Sequence, residues 1–240
     1  MNGPSQDKEI SGSDPAARRP VRSYVLRGGR LTEGQKRALE EYWPRFGIDD
    51  SDTMLDFHTL FGNRAPVIME IGLGSGEATW QVASAHPQEN YLGVEVHRPG
   101  VGRLLLNIEK HDIENIRVAC ADAAEFLRKR IPEGSLAGVR IYFPDPWPKK
   151  RHHKRRIIQP AFVRLLASRM RSGAILHLAT DWEPYADYML EVIESEGGFV
   201  NMAGSASFHP RPEWRPETKY EKRGERLGHR VKDLLYAREH

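Results

Sequence analysis

The pattern of apolar and polar positions changes character at Val67. Upstream, residues 1 to 30 are poor in large apolar side chains and rich in Gly, Pro, Ser and Arg. Such a stretch cannot bury enough surface to offset the entropy of ordering, so it reads as a flexible basic N-terminal arm. A short helix is expected over Thr32 to Tyr42, closed by Pro44. From Val67 onward, short β-branched runs alternate with amphipathic stretches. V-I-M-E-I reads as a strand, G-L-G-S-G follows directly, and a helix runs from Glu77 to about Ala85, ended by His86-Pro87. Y-L-G-V-E-V is a second strand, followed by a helix showing Val101, Leu104, Leu105 and Ile108, and I-R-V-A-C is a third. Asp122 and Glu125 form a capping-box pattern for the next helix, which Pro132 ends, and V-R-I-Y-F is the fourth strand.

Pro160 suits a first helical turn, with Ile158, Phe162, Leu165 and Leu166 as its apolar face. A-I-L-H-L-A is strand five, and Asp181 is placed to cap a helix showing Tyr185, Tyr188, Met189, Val192 and Ile193. F-V-N-M-A is strand six, a Pro-rich loop spans His209 to Pro216, and V-K-D-L-L-Y-A-R is the last strand. Strands alternating with helices at this spacing predict an α/β fold with a doubly wound, mostly parallel sheet, in one domain over residues 31–240.

Composition narrows the class. At 240 residues and 39% hydrophobic, the chain suits one α/β domain plus an appendage. No apolar run approaches a membrane span, and the N-terminus lacks the apolar core of a signal peptide, so a soluble cytoplasmic protein is expected. The single cysteine, Cys120, excludes an internal disulfide and reads as a core residue inside strand three. Ten histidines show no zinc-site spacing, so no metal is expected.

Net charge is only +3, so the basic character is concentrated locally. Its densest stretch follows strand four: I-Y-F-P-D-P-W-P-K-K-R-H-H-K-R-R, Ile141 to Arg156. Proline gives no N–H to a ladder, so the strand stops there. One carboxylate, Asp145, and several rings are left facing a cationic loop. Lys and Arg can hold phosphates while aromatic faces stack on bases, although a charge run on its own usually faces solvent. Acids also follow the other strands: Glu70, Glu95, Asp122 and Asp181 join Asp145 at the carboxyl edge, where such sheets bind ligands.

The first two elements fit a nicotinamide enzyme as well, since an acid near the end of strand two binds ribose in both cases. The glycine spacing, however, is G-x-G-x-G, and Glu70 stands two residues before Gly72. A carboxylate there repels a pyrophosphate and favours the cationic methionine portion of S-adenosylmethionine. This pattern resembles the class I methyltransferases, whose seven-stranded Rossmann-like sheet ends in an antiparallel strand. P-D-P-W-P-K-K-R-H-H-K-R-R, the T-D at Thr180 and Asp181, and T-K-Y-E-K-R-G from Thr218 narrow the resemblance to the tRNA (guanine-N(7)-)-methyltransferases of the single-chain bacterial type, over roughly residues 60 to 238.

The resemblance implies a set of roles. Glu70 with Gly72, Gly74 and Gly76 would hold the methionine end and ribose of the cofactor, Glu95 the ribose hydroxyls, and Asp122 with Ala123 the adenine. Asp122 equally reads as a plain helix cap. Asp145 is the active-site acid and also borders the cofactor. Lys149, Arg151, His152, His153, Lys154, Arg155 and Arg156 would contact RNA, and Asp181 with Thr218, Lys219, Tyr220 and Glu221 would form the guanine pocket. The partner implied is tRNA, modified in its variable loop, with no membrane and no obligatory protein partner.

The 7-nitrogen of guanine carries a free lone pair, so methyl transfer to it needs no general base, and Asp145 is expected to stabilise charge and orient the base. Tyr142, Phe143 or Trp147 could stack on that base, with Phe143 the most readily buried. Two other readings stay open. D-P-W faintly matches the signature of exocyclic-amine methyltransferases, without its second proline. A non-enzymatic RNA-binding module with a vestigial cofactor site is the third. Cys120, inside a strand, gives no support to the thiol nucleophile of cytosine C5 methylation.

Overall fold

A computed structural model describes residues 23–24, 29–217, 221 and 230–239 of the chain. In chain order the strands are β1 (Gly47–Ile48), β2 (Val67–Ile71), β3 (Asn90–Val94), β4 (Ile116–Ala119), β5 (Leu136–Tyr142), β6 (Met170–Thr180), β7 (Phe199–Asn201) and β8 (Lys232–Arg238). They form one sheet in the order β1-β4-β3-β2-β5-β6-β8-β7. The first six are parallel, and β8 slots between β6 and β7, antiparallel to both. The expected mostly parallel sheet with an antiparallel last strand is present, widened by β1. Two residues are too few to leave a periodic trace in the sequence. The chain leaves β2 toward β3 and β4, then returns to β5 on the other side. That reversal opens a crevice at the carboxyl ends of β2, β3 and β5.

Strand alternation divides the sheet into two unlike faces. Val67, Met69 and Ile71 of β2, Val139 and Ile141 of β5, and Leu176 and Leu178 of β6 point into one apolar core. The helices α5 (Ala123–Arg130), α6 (Pro160–Arg169) and α7 (Glu183–Glu196) close that core through Leu127, Val163, Leu166, Tyr185 and Met189. On the other face Tyr91, Ile116 and Val118 pack beneath α1 (Glu33–Phe46), α3 (Glu77–Ala85) and α4 (Arg98–Lys110). α2 (Phe57–Phe61) is a single turn capped by Asp56, with Phe57, Leu60 and Phe61 packed against the first core. Where β2, β5 and β6 continue the second face, the inward residues are Glu70, Arg140, Tyr142 and His177, all buried. This half of the face has a polar lining.

Several local expectations need correction. Pro44 does not close α1 but sits in its last turn, and the helix runs to Phe46. The proline forgoes only the bond to the carbonyl of Glu40, a residue exposed to solvent. Asp181 does not cap α7: Trp182 is the cap residue without a side-chain bond, and its N–H donates to Thr180 Oγ1 at 3.2 Å. Cys120 lies just beyond β4 and is exposed, not in the core. Partial desolvation of the thiol, opposed by Arg98, raises its pKa and favours the protonated form. The basic-arm reading falls mostly outside the described residues.

Gly100, in the first turn of α4, is pressed against the glycine loop: a Cβ there would stand 2.0 Å from the Gly74 carbonyl oxygen. Alanine is the better helix former by about 1 kcal/mol, but overpacking against backbone costs about 1 to 3 kcal/mol. Gly100→Ala is therefore expected to lower stability in a urea titration and to weaken cofactor binding. A gain in stability would show that α4 does not press on the loop.

Candidate active site

The crevice is lined by Ile71, Gly72, Val94, Glu95, Ala123 and Asp145, with Ser23 and Tyr24 of the arm along one wall. Gly72 and Gly74 adopt φ of 73° and 59°, and a Cβ on either would project into open space. Gly76 differs: it is the cap residue of α3, and a Cβ there would lie 2.7 Å from Leu104. The first two glycines keep the backbone open to a ligand, and the third lets α3 pack on α4. Glu95 pins the loop, since its Oε2 accepts from the Gly74 N–H at 2.8 Å and its Oε1 from the His97 N–H at 2.9 Å. Asp122 caps α5 by accepting from the Glu125 N–H at 2.9 Å, and its side chain belongs to the adjoining groove with Arg128 and Lys154. Ala123 faces the crevice.

Two carboxylates, Glu95 and Asp145, and no Lys or Arg line the crevice among the described residues. Such a site disfavours a pyrophosphate and suits a ligand with positive charge, as the sulfonium and ammonium of S-adenosylmethionine provide. The open glycine backbone leaves room for its ribose and methionine, so the residues present fit this cofactor. Among the described residues no cluster of His, Cys, Asp and Glu could hold a metal ion.

Asp145 is exposed, at the middle of a strained exit from β5. Phe143 and Trp147 adopt φ of 49° and 45°, a region costly for bulky side chains, and each precedes a proline. Between them the chain turns from the sheet into the crevice. Tyr142, the last residue of β5, is the buried ring of the three aromatics, and Phe143 is only half-buried, contrary to expectation. Trp147 is committed locally: its Nε1–H donates to the Ser23 carbonyl at 3.1 Å, and the Arg155 guanidinium covers its ring at 4.0 Å.

The cationic run folds into a 3₁₀ helix, Lys150–Arg155, and divides by direction. Lys149, Lys150, Arg151 and Lys154 are exposed. Arg155 donates to the Tyr24 carbonyl at 3.1 Å. Arg156 is buried: it donates to the Pro146 carbonyl at 3.0 Å and lies over the Tyr185 and Tyr188 rings at 4.7 and 4.8 Å. It also donates to His153 Nε2 at 3.2 Å, while His152 packs edge-on against Trp147. Four cations therefore face solvent, and the remaining side chains brace the strand exit.

Comparison with known proteins accords with this geometry. A family model described as "Putative methyltransferase" matches residues 64–234. The chain is 54% identical over 220 residues to the tRNA (guanine-N(7)-)-methyltransferase of Alcanivorax borkumensis, covering 92% of each chain. With that of Alkalilimnicola ehrlichii it shares 56% over 226 residues, covering 93% of this chain and 95% of the relative. The chain belongs to the tRNA (guanine-N(7)-)-methyltransferase family. The solved 16S rRNA methyltransferase KamB overlays with a TM-score of 0.58 at 15% identity, covering 82% of this chain and 99% of that one, which shows the shared class I fold.

Seen within the tRNA (guanine-N(7)-)-methyltransferase family, the remaining residues fall into place unevenly. Asp181 is half-exposed just past β6, the neighbour of β5. Thr218, Lys219 and Tyr220 lie outside the described residues. Glu221 is buried, and both of its oxygens accept from Arg215, at 2.6 and 2.8 Å. Arg215, and beyond it Asp233 and His177, were not singled out from sequence. Only His177, as a polar residue within the A-I-L-H-L-A strand, left a visible signal.

Glu70 does not reach the crevice lining, and its Oε2 has no hydrogen-bond partner. Burial, partly offset by the charge of Arg140, pushes its carboxyl up to about 7 from 4.5. A carboxyl raised on folding holds its proton longer in the native state than in the unfolded chain. Stability must then fall as pH rises through that window, by roughly 3 kcal/mol at most. Glu70→Gln removes the titration. The stability difference between variant and wild type, from denaturant titrations at several pH values, is expected to shift in favour of Gln between pH 4.5 and 7. A constant difference would show that Glu70 is ionised throughout.

Proposed function

We propose that this chain transfers the methyl group of S-adenosylmethionine to the 7-nitrogen of a guanine in the variable loop of tRNA. The observation that carries the reading is the placement of Asp145, presented at the strained end of β5 in a crevice whose described lining holds no cation, beside four exposed ones. S-adenosylmethionine supplies an electrophilic methyl group on a sulfonium. The guanine 7-nitrogen attacks with its free lone pair, the carbon–sulfur bond breaks, and its electron pair stays on sulfur, so no proton has to leave the base.

The protein's task is alignment and charge. Holding the attacking and leaving atoms in line supplies about 7 to 11 kcal/mol. Positive charge moves onto the purine ring during transfer, and a preorganised carboxylate aimed at such a charge is worth about 2.7 to 4 kcal/mol. Asp145 supplies that charge and accepts from guanine N–H groups, which adenine does not present in the same pattern. Glu95 orders the glycine loop and the cofactor ribose together, and Asp122 with Ala123 borders the adenine. Gly72 and Gly74 give the ligand access to the backbone, Gly76 packs the helix behind it, and Glu70 supports the loop from the polar face. Lys149, Arg151 and Lys154 hold RNA phosphates, with His152, His153, Arg155 and Arg156 bracing that loop. Asp181 and the segment from Thr218 to Glu221 complete the guanine side. The enzyme works in the cytoplasm as a single chain, with tRNA as its partner.

Mass spectrometry of nucleosides from tRNA incubated with the protein and labelled S-adenosylmethionine is expected to give labelled 7-methylguanosine. Labelled N6-methyladenosine would instead establish the exocyclic-amine reading. No label, with cofactor binding intact, would leave an RNA-binding module.

A further inference from the structure

The rings expected to stack on a base are largely engaged within the fold. Tyr142 is buried, Phe143 packs partly against it, and Trp147 lies under Arg155. Two indoles are exposed among the described residues, Trp182 and Trp214. Trp214 stands edge-on to buried His177 over the polar face of the sheet. Trp182 is 36% exposed and follows the carboxyl end of β6 with no ring partner among the described residues. Its backbone, by contrast, is fixed. The N–H donates to Thr180 Oγ1, and the carbonyl accepts from the Tyr185 and Ala186 N–H groups at 2.9 and 3.0 Å. A flat apolar ring on a fixed backbone loses little freedom when a partner stacks on it.

The position of this ring relates it to Asp145. β6 lies beside β5, and the Phe143 N–H donates to the Ala179 carbonyl at 2.8 Å. Asp145 stands two residues past Phe143 and Trp182 three past Ala179, so acid and indole leave adjacent strands at one corner of the sheet edge. Trp182 lines a slot of about 390 Å³ with Pro148, His153, Arg156 and Tyr188. Clefts that take small planar ligands begin at about 300 Å³. The slot shares no lining residue with the crevice that holds Asp145, so a base in one leaves the other free.

The charges of the slot select a base over a phosphate. Asp187 and Glu191, both exposed and one turn apart on α7, also line it. They repel an anion and accept from the N–H groups of a base edge. The one guanidinium in the lining, Arg156, is buried and already donates to the Pro146 carbonyl. Pro148 is followed directly by exposed Lys149 and Lys150, which places phosphate-binding charge next to the slot.

We propose that Trp182 is a substrate-binding residue that stacks on the nucleobase adjoining the target guanine. The target guanine enters the crevice beside Asp145, its neighbour enters the slot, and the phosphate between them meets the lysines of the basic loop. Holding the neighbour turns the strand so that the target base is presented alone. This deepens the proposed function and rests on it only for which guanine is the target.

The test measures tRNA affinity of the full-length wild type, Trp182→Ala and Trp182→Phe over a range of salt concentrations, with cofactor affinity by calorimetry as a check on folding. Each protein is also titrated with tRNAs in which one variable-loop nucleotide at a time is abasic. Trp182→Ala is expected to weaken tRNA binding by about 5- to 150-fold, the range of a single base–aromatic stack, and Phe to restore most of it. The slope of log affinity against log salt stays as in the wild type, because no phosphate contact is lost. An abasic nucleotide next to the methylated guanine weakens wild-type binding by a similar factor and has no further effect on Trp182→Ala, since both changes remove one contact. Unchanged affinity in Trp182→Ala, multiplying losses at every abasic position, or a parallel loss of cofactor affinity would overturn the proposal. So would coupling of Trp182 to the methylated guanine itself. If no guanine is methylated, the proposed function fails, and the stack is still decided by whether one variable-loop position couples to Trp182 in binding.

Discussion

The structure depends on how the chain leaves β5. Period-2 alternation turns Tyr142 inward to the polar face, and within three residues the chain must place a carboxylate in open solvent at the sheet edge. It does so through two left-handed aromatic residues, Phe143 and Trp147, around Pro144-Asp145-Pro146. Each such residue costs about 1 to 3 kcal/mol and persists only where its surroundings over-determine it. The restraints are visible: Phe143 N–H donates to the Ala179 carbonyl at 2.8 Å, Arg156 holds the Pro146 carbonyl, and Arg155 covers Trp147. A residue so fixed is preorganised for its position before any ligand arrives.

This accounts for the unusual density of the basic stretch. A run serving RNA alone would expose every cation. Here Arg155 and Arg156 turn inward and tie the loop to the strand exit, while Lys149, Lys150, Arg151 and Lys154 face outward. One stretch thus fixes the acid and presents a charged surface a few residues away. Ser23 and Tyr24 join the same assembly through their carbonyls, so these two residues touch both the crevice and the basic loop.

Periodicity made the sheet legible because its strands are buried on both faces and its helices are amphipathic. The five central strands lie where the apolar runs stand, and the glycine loop and β5 exit were marked by residues with no other reason to be there. Direction was not legible. Glu70 and Glu95 look alike in sequence, yet one ends inside the polar face and the other in the crevice, because Glu70 lies within a strand and Glu95 just past one. Asp181 resembles a cap, but at the start of α7 the Trp182 N–H donates to Thr180 Oγ1. Arg215 left no trace, since its partner Asp233 stands on β8, which reaches it only by inserting beside β6. Buried ionic chains of this kind arise from tertiary placement, which local pattern cannot encode.

The central claim is that Asp145 acts as a fixed charge and not as a proton acceptor. It is tested most directly by single-turnover methylation of tRNA by the wild type and Asp145→Asn across the neutral range, with tRNA and cofactor saturating at every pH. The account predicts a flat wild-type profile from about pH 6 to 8 and a parallel, slower profile for Asn, lower by about a hundred- to a thousandfold. A rising limb in the wild type that vanishes in the Asn variant would contradict it and make Asp145 a general base.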